Sequence, residues 1–203
     1  MGKSVVALLG PSGSGKSSIG HCIARKLDWN YLDSDREIEA LTGLSIAEIF
    51  QKKGESEFRA LEKQYLENLV SSFGLALSNG GKEGCVLSTG GGMPIFNDNI
   101  SLLESFATLV YLSAPLEVLV TRIKRSENRP LLSGSETKRD DMADNELILR
   151  LGKLIAERES IYNRARYRID TSSADQEQLA DDIIEMAGLV SHPAAQGRII
   201  HET

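Results

Sequence analysis

The sequence has few cysteines and no long apolar run, and both observations limit the classes of protein to which it can belong. Its 203 residues include two cysteines, Cys22 and Cys85, which show no metal-ligand spacing, so we expect two buried free thiols, as in a reducing cytosol. No apolar stretch approaches the roughly 20 residues that a membrane-spanning helix needs. No signal or transit peptide is visible either, because the first apolar run, Val5 to Leu9, begins almost at once. These absences predict a cytoplasmic protein without a membrane partner.

Basic residues are also fewer than acidic residues. Lysine and arginine number 23 against 29 aspartates and glutamates, which gives a net charge of −6, and no basic block occurs. This balance argues against nucleic acid as a partner. A hydrophobic fraction of 41% and a charged fraction of 26% are usual for a globular protein. The length suits one domain, which we place at residues 1–190, followed by a polar, patternless tail at 191–203 that we expect to be disordered.

What the sequence does contain is a phosphate-binding loop. Residues 10–17 read Gly-Pro-Ser-Gly-Ser-Gly-Lys-Ser and fit the pattern G-x-x-x-x-G-K-[ST] at every fixed position. An apolar run precedes the loop and a helical periodicity follows it, which is the context that the motif needs. In such a loop, backbone N–H groups bind phosphate, Lys16 reaches the β- and γ-phosphates of a nucleotide, and the Ser17 hydroxyl ligates Mg²⁺. The alternative, a flexible Gly/Ser loop that fits by chance, does not explain this context.

Short apolar runs alternate with amphipathic stretches along the rest of the chain. Strands are predicted at residues 5–9, 29–32, 85–89, 107–112 and 167–170, and helices lie between them. This strand–helix order predicts parallel crossovers. The fold class is therefore α/β, a three-layer α/β/α domain with a central parallel sheet and the phosphate loop after its first strand.

Two acidic residues follow the second predicted strand. Asp33 and Asp35 lie where a parallel strand ends, at the sheet edge where ligands bind. One carboxylate could lie near a Mg²⁺ ion while the other faces the phosphoryl acceptor. In the alternative, Ser34 or Asp35 caps the helix that follows. The residues alone leave both interpretations open.

Two further segments carry candidate residues. Arg59 lies beside the apolar face of a helix, either as a binding residue or as a surface arginine paired with Glu62. The triplet Gly90-Gly91-Gly92 follows the third strand, where it either permits close approach of a ligand or forms a sharp turn.

Two polar stretches without periodic apolar residues interrupt the pattern. The first, at residues 71–84, predicts an irregular connection. The second follows Asn128 and runs to Asp144. It predicts a mobile lid at about 126–145, with the next helix starting at Asn145.

Several segments between about residue 5 and residue 186 follow one another in the order of a known family: the phosphate loop, Leu32-Asp33-Ser34-Asp35, residues 54–62, Ser88 to Gly92, Arg129-Pro130-Leu131-Leu132, and Glu157-Arg158 followed by Tyr162. Taken together, these segments resemble the shikimate kinase family. The resemblance implies a sheet of five parallel strands. It also implies transfer of the ATP γ-phosphoryl group to the 3-hydroxyl of shikimate, giving shikimate 3-phosphate and ADP, with Mg²⁺ as cofactor. The expected partners are ATP, ADP and shikimate, and we expect a monomer.

The resemblance implies roles for individual residues. The implied catalytic residues are Lys16, Asp35 and Arg129. The implied ATP-binding residues are Gly13, Ser14, Gly15, Lys16, Ser17, Ser18, Arg122 and Arg129. The implied shikimate-binding residues are Asp35, Arg59, Gly91, Gly92 and Arg158. The implied metal-binding residues are Ser17 and Asp33. Two arginines suit the carboxylate of shikimate, because a guanidinium offers the planar, two-pronged donor that a carboxylate accepts.

Two other functions stay open at this point. A gluconate-type or other small-metabolite kinase would share the phosphate loop and an acidic substrate, although Arg59, Arg158 and the glycine triplet argue against it. A non-catalytic nucleotide-binding module would be favoured by the loss of Lys16, Asp35 or Arg129, and all three are present.

The sequence also departs from the family in its loops. Both polar stretches look longer than usual, which loop-closure entropy tolerates well. No arginine lies between Ser172 and Asp175, in the connection that resembles the family's adenine loop. Contacts to the adenine base are therefore not predicted from this segment.

Overall fold

A single parallel sheet forms the centre of the molecule. The computed structural model describes residues 5–76, 84–127 and 141–189. Its strands pair in the order β2-β3-β1-β4-β5, and every pairing is parallel. The predicted α/β class with five parallel strands is confirmed. The strands are β1 (Val5–Leu9), β2 (Asn30–Asp33), β3 (Cys85–Ser88), β4 (Thr108–Ser113) and β5 (Tyr167–Asp170).

Helices cover both faces of this sheet. Successive side chains of a strand point to opposite faces, so Val5, Ala7 and Leu9 of β1 pack into one core while Val6 and Leu8 pack into the other. Side chains of α2, α3, α4 and α6 line the first core, and side chains of α1 and α7 line the second. The helices are α1 (Lys16–Leu27), α2 (Ser34–Thr42), α3 (Ile46–Ala76), α4 (Asn99–Phe106), α5 (Leu116–Glu127), α6 (Asp141–Tyr162) and α7 (Gln176–Met186).

The order of the strands brings distant segments to one edge of the sheet. In the register of the sheet, Ser88 of β3 lies beside both Leu8 of β1 and Asp33 of β2. The phosphate loop, the two aspartates and the glycine triplet each follow one of these three neighbouring strands. All three therefore emerge together at the carboxyl edge, where ligands bind in open α/β sheets.

Several predicted boundaries were wrong by a few residues. Helix α3 continues to Ala76 instead of ending before residue 71, where the irregular connection was predicted to begin, and it is kinked at Gly54, whose φ and ψ are 84° and 171°. Ser71 does not end it, because the hydroxyl donates a hydrogen bond back to the carbonyl of Glu67 within the helix. Helix α6 begins at Asp141, four positions before the predicted start.

Helix α2 is capped by Asp33, and the prediction of Ser34 or Asp35 as the cap was wrong. Asp33 keeps an extended backbone, and its side chain accepts from the N–H groups of Asp35 and Arg36. This is the usual geometry of an N-cap residue, whose carboxylate reaches the second and third N–H groups of the helix. The predicted tail at 191–203 and most of the predicted lid, including Arg129, lie outside the described residues.

Where the structure is described, no helix combines the length and the apolar character needed to cross a membrane.

Candidate active site

The phosphate loop connects β1 to α1 through glycines with positive φ. Gly10, Gly13 and Gly15 have φ angles of 141°, 79° and 95°. A Cβ at Gly10 would also collide with the backbone carbonyl oxygen of Leu112 in β4, so only glycine fits there. Gly15 is the N-cap of α1, and it provides no side-chain cap for the first N–H groups of this helix. These groups point to one place and can bind an anion.

Lys16 folds over the loop from the first turn of α1. Its ammonium donates hydrogen bonds to the carbonyl oxygens of Gly10 and Pro11, both at 2.8 Å. Burial lowers the pKa of Lys16 to about 8, although the carboxylates of Asp35 and Asp33 act in the opposite direction. A buried, poorly hydrated ammonium is strongly stabilised when negatively charged phosphate oxygens approach it. Lys16 is therefore suited to bind the terminal phosphates of a nucleotide.

Asp33 connects the loop to β2. The hydroxyls of Ser17 and Tyr31 each donate to its Oδ2 at 3.2 Å, while its Oδ1 caps α2. Asp33 therefore combines the cap role with a place beside the loop, whereas the sequence-based interpretations gave the cap to Ser34 or Asp35. Both oxygens are held in position by neighbours on three different elements.

The donors around Ser17 fit a magnesium ion that arrives with a nucleotide. Mg²⁺ keeps several waters and is usually held by one or two carboxylates together with substrate phosphates. The Ser17 hydroxyl and the Asp33 carboxylate are oxygen donors of this kind, next to the loop. Across the described ranges, no group of three or more His, Cys, Asp or Glu residues could hold a metal ion by itself. The site fits a metal that shares its ligands with phosphate.

Asp35 faces the glycine triplet. Its Oδ1 is buried and has no hydrogen-bond partner among the described residues. A Cβ at Gly90 would collide with this oxygen, so the glycine lets the carboxylate lie against the chain. Burial raises the pKa of Asp35, and the negative charge of Asp33 raises it further, while Lys16 lowers it. Asp35 also lines the cavity, where its carboxylate can accept a hydrogen bond from a substrate hydroxyl.

Arg59 of α3 lies on the opposite side of the cavity, with 12% of its side chain exposed. Its Nε and Nη2 donate to Glu55 Oε1 at 3.2 and 2.9 Å, and its Nη1 donates to Glu62 Oε2 at 2.8 Å. These bonds leave one N–H on Nη1 and one on Nη2 without a partner in the described part of the chain. Such a pair can bind both oxygens of a carboxylate. The predicted pairing with Glu62 and the predicted binding role are therefore compatible.

Glu62 is the most deeply buried acid of the site. Its side chain is 1% exposed, and its Oε1 has no hydrogen-bond partner within the described residues. Burial raises its pKa to about 7, in spite of the opposing effect of Arg59. The sequence suggested only a surface partner for Arg59, since an i, i+3 spacing gives no information on burial.

Arg158 and Tyr162 of α6 complete this end of the cavity. The Tyr162 hydroxyl donates to the carbonyl oxygen of Gly91 at 2.5 Å. A Cβ at Gly91 would lie 3.7 Å from Nη1 of Arg158, and a Cβ at Gly92 would lie 2.7 Å from Nη1 of Arg59. The two guanidinium groups thus lie beside consecutive glycines, and the triplet is a contact surface as well as a turn.

Arg122 of α5 connects the phosphate loop to the end of β5. It donates to the carbonyl oxygen of Gly13 at 3.4 Å, and to the side chain and backbone of Thr171. The Thr171 hydroxyl also lies 3.1 Å from the carbonyl oxygen of Ser14. Thr171 lies in the connection from Asp170 to Ala174 that resembles the family's adenine loop, but the sequence analysis did not single it out as a site residue. Its position directly after the last strand, at the same sheet edge, is the signal that could have identified it.

One cavity of about 1240 Å³ unites these groups. This volume exceeds that of most small-molecule sites and suits two substrates held together. Arg129 lies outside the described residues. Every other site residue that the sequence predicted lines the cavity: Gly13, Ser14, Gly15, Lys16, Ser17, Ser18, Asp33, Asp35, Arg59, Gly91, Gly92, Arg122 and Arg158.

Comparisons with known proteins agree on one family. The family model for shikimate kinase matches residues 12–187. A curated shikimate kinase of Pelotomaculum thermopropionicum is 35% identical over 179 residues, which is 88% of this chain and 92% of that protein. One from Chlorobaculum tepidum is 37% identical over 171 residues, which is 84% of this chain and 83% of that protein.

A solved structure of the same family gives the same result, and a structure of another kinase shares the fold. The shikimate kinase of Acinetobacter baumannii in complex with shikimate is similar with a TM-score of 0.73 and 33% identity, over 90% of this chain and 92% of that one. A gluconokinase of Sinorhizobium meliloti is similar with a TM-score of 0.52 and 15% identity, over 92% of each chain. At that identity the second comparison shows the fold alone.

Proposed function

The chain belongs to the shikimate kinase family, and we propose that its cavity binds ATP at the phosphate loop and shikimate between Asp35 and the two arginines. The enzyme phosphorylates shikimate with ATP, giving shikimate 3-phosphate and ADP. The observation that supports the residue assignment best is the pair of guanidinium groups beside Gly91 and Gly92, across the same cavity from Lys16.

The nucleotide end uses the loop and its neighbours. Backbone N–H groups at the start of α1 bind the phosphates, and Lys16 moves its hydrogen bonds from the loop carbonyls to phosphate oxygens. Ser17 and Asp33 would hold Mg²⁺, which would neutralise phosphate charge when it is bound. Arg122 lies on the same side of the cavity and is assigned to the nucleotide. The role of Arg129 at the transferring phosphoryl group rests on the sequence resemblance.

The acceptor end recognises a carboxylate on a hydroxylated ring. The two remaining N–H groups of Arg59 bind the carboxylate, and Arg158 provides a second cation next to it. Backbone N–H groups at Gly91 and Gly92 can contact the acceptor, because no side chain stands in the way. A carboxylate at one end and a hydroxyl at the other then fix the ring across the cavity.

Asp35 aligns the reacting hydroxyl. Its carboxylate, which lines the cavity, accepts the hydrogen bond of the acceptor's 3-hydroxyl and takes the proton as the new oxygen–phosphorus bond forms. The bond between the γ-phosphorus and the bridging oxygen of ADP breaks, and the electron pair leaves with ADP. Positioning and charge supply most of the acceleration in this chemistry, so a strong base is not required.

An ADP-release assay with a panel of acceptors tests the assignment. Shikimate should support turnover, whereas gluconate and other sugar acids should give only the slow background of ATP hydrolysis. Turnover with gluconate and none with shikimate would contradict the proposed function.

Light scattering on the purified enzyme checks our further proposal of a monomer. We also propose that it works in the cytoplasm, without nucleic acid or a membrane as a partner.

A further inference from the structure

The segment that follows the glycine triplet surrounds Arg59. Gly92 brings the backbone next to the guanidinium, within 2.7 Å of Nη1 if a Cβ were present. Cζ of Arg59 lies over the ring of Phe96, 4.0 Å from its centroid. The amide of Asn97 donates to the backbone carbonyl of Arg59 at 3.1 Å. Three residues within six positions therefore contact the same arginine, on its edge, its face and its backbone.

Phe96 is the closest of three aromatic rings around this cation. The ring centroids of Phe58 and Phe50 lie 5.2 and 5.9 Å from Cζ. The attraction between a cation and the face of a ring falls off within about 6 Å, so Phe96 makes the strongest of the three contacts. The edges of the guanidinium are held by Glu55 and Glu62, and its face is held by Phe96.

The segment that carries Phe96 is itself fixed in place. Met93 is fully buried, and the short 3-10 turn from Met93 to Ile95 begins directly after Gly92. The buried Asn99 amide donates to the carbonyl oxygen of Met93 at 3.0 Å. Lys63, one turn after Arg59 on α3, donates to the carbonyl oxygen of Asn97 at 3.2 Å. The ring is thus presented to Arg59 by a segment that is attached to both the core and α3.

We propose that Phe96 is a positioning residue for Arg59 and thereby sets how tightly the enzyme binds the carboxylate of its acceptor. This inference rests on the proposed function of Arg59. With the face fixed by the ring and the edges fixed by two carboxylates, the guanidinium presents its two remaining N–H groups in one direction. Without the ring only the hydrogen bonds to Glu55 and Glu62 hold the guanidinium, so its face can tilt, and the acceptor must then order it on binding.

Substitution of Phe96 by leucine tests the proposal. Leucine keeps an apolar side chain but has no π face, so the KM and the dissociation constant for shikimate should rise about 3- to 10-fold. The KM for ATP, kcat and the thermal midpoint should change little. Phe96→Tyr should restore tight shikimate binding, because it keeps the ring. Phe50→Leu is the matched control, with a ring 5.9 Å away, and should have a smaller effect.

A double-mutant cycle separates positioning from simple packing. In an Arg59→Lys background, Phe96→Leu should add little to the loss of shikimate affinity, because the planar group that the ring orients is already gone. Additive effects would overturn the proposal, as would equal losses for ATP and shikimate, or unchanged shikimate affinity in Phe96→Leu. Should the leucine variant not fold, Phe96→Met serves the same comparison. A wild-type enzyme inactive on shikimate would instead contradict the proposed function itself.

Discussion

The two ends of the cavity hold anions by different means. At the nucleotide end the binding groups are mostly backbone N–H groups, placed by glycines with positive φ and by the start of α1. At the acceptor end they are side chains, and the central one, Arg59, lies between Glu55, Glu62 and Phe96. The phosphate loop of the first end is encoded in eight consecutive residues, whereas the second end is assembled from α3, α6 and the segment after β3.

The difference has consequences for specificity and for stability. A backbone cradle binds the phosphates of any nucleotide and carries no buried acid. A buried arginine surrounded by carboxylates selects the shape of one acceptor, but it keeps Glu62 in an environment that disfavours its charge. Substitutions should therefore affect the chemical step at the first end, and affinity and pH-dependent stability at the second.

Lys16→Ala should have the largest effect. It removes the one ammonium that folds over the loop, and loss of such a contact to the developing charge costs roughly 3 kcal/mol or more, about a hundredfold in kcat. Shikimate affinity should be unaffected. Steady-state kinetics and calorimetry with shikimate check both parts. Lys26→Ala, on the exposed side of the same helix, is the control. Near-normal turnover of Lys16→Ala would contradict the assignment of this loop to the phosphates of the nucleotide.

Glu62→Gln should change the pH dependence of stability. The pKa of Glu62 is about 7 in the folded protein and near 4.5 in the unfolded chain, so the folded state holds a proton that the unfolded state releases. The stability from this group is complete below pH 4.5 and is lost as the pH rises through 7. The full loss is about 3 kcal/mol of unfolding free energy.

Urea unfolding at pH 5 and pH 8 measures this effect. The wild type should lose more stability between the two values than Glu62→Gln, because the amide does not titrate. Glu57→Gln, at an exposed position of the same helix, should behave as the wild type. Identical pH slopes in wild type and Glu62→Gln would show that burial does not raise the pKa of this acid.

The nucleotide end and the acceptor end also differ in how much of each can be predicted from the sequence. The loop from Gly10 to Ser17 and the sheet behind it follow from local patterns, and both are confirmed to within a few residues at the element ends. The burial of Glu62, the stacking of Phe96 on Arg59 and the contacts of Thr171 depend on packing between segments that are distant in the chain. No local periodicity records such contacts, so the acceptor end was identified through family resemblance.

Arg59→Lys should have an intermediate effect, restricted to the acceptor. Lysine keeps the charge but lacks the planar fork, and loss of one of two hydrogen bonds to a carboxylate costs about 1.5 kcal/mol, or roughly tenfold in shikimate affinity. Calorimetric titrations with shikimate and with ATP separate the two sites. Arg164→Lys, which alters the pair with Glu104 away from the cavity, is the matched control. Weakened ATP binding with intact shikimate binding would assign Arg59 to the nucleotide end.

The smallest effect concerns protons at the nucleotide end. Because the pKa of Lys16 is about 8, close to half of this residue is neutral at pH 8 before ATP binds. Phosphate oxygens at the ammonium favour its charged form, so ATP binding at pH 8 should take up roughly half a proton, and almost none at pH 6.5. Titrations in two buffers with different ionisation enthalpies measure this uptake. Lys16→Arg, which stays charged at both pH values, separates it from protons exchanged by ATP itself. Equal uptake in wild type and Lys16→Arg would mean that Lys16 is already fully charged at pH 8, and that burial in the loop does not weaken its hold on the proton.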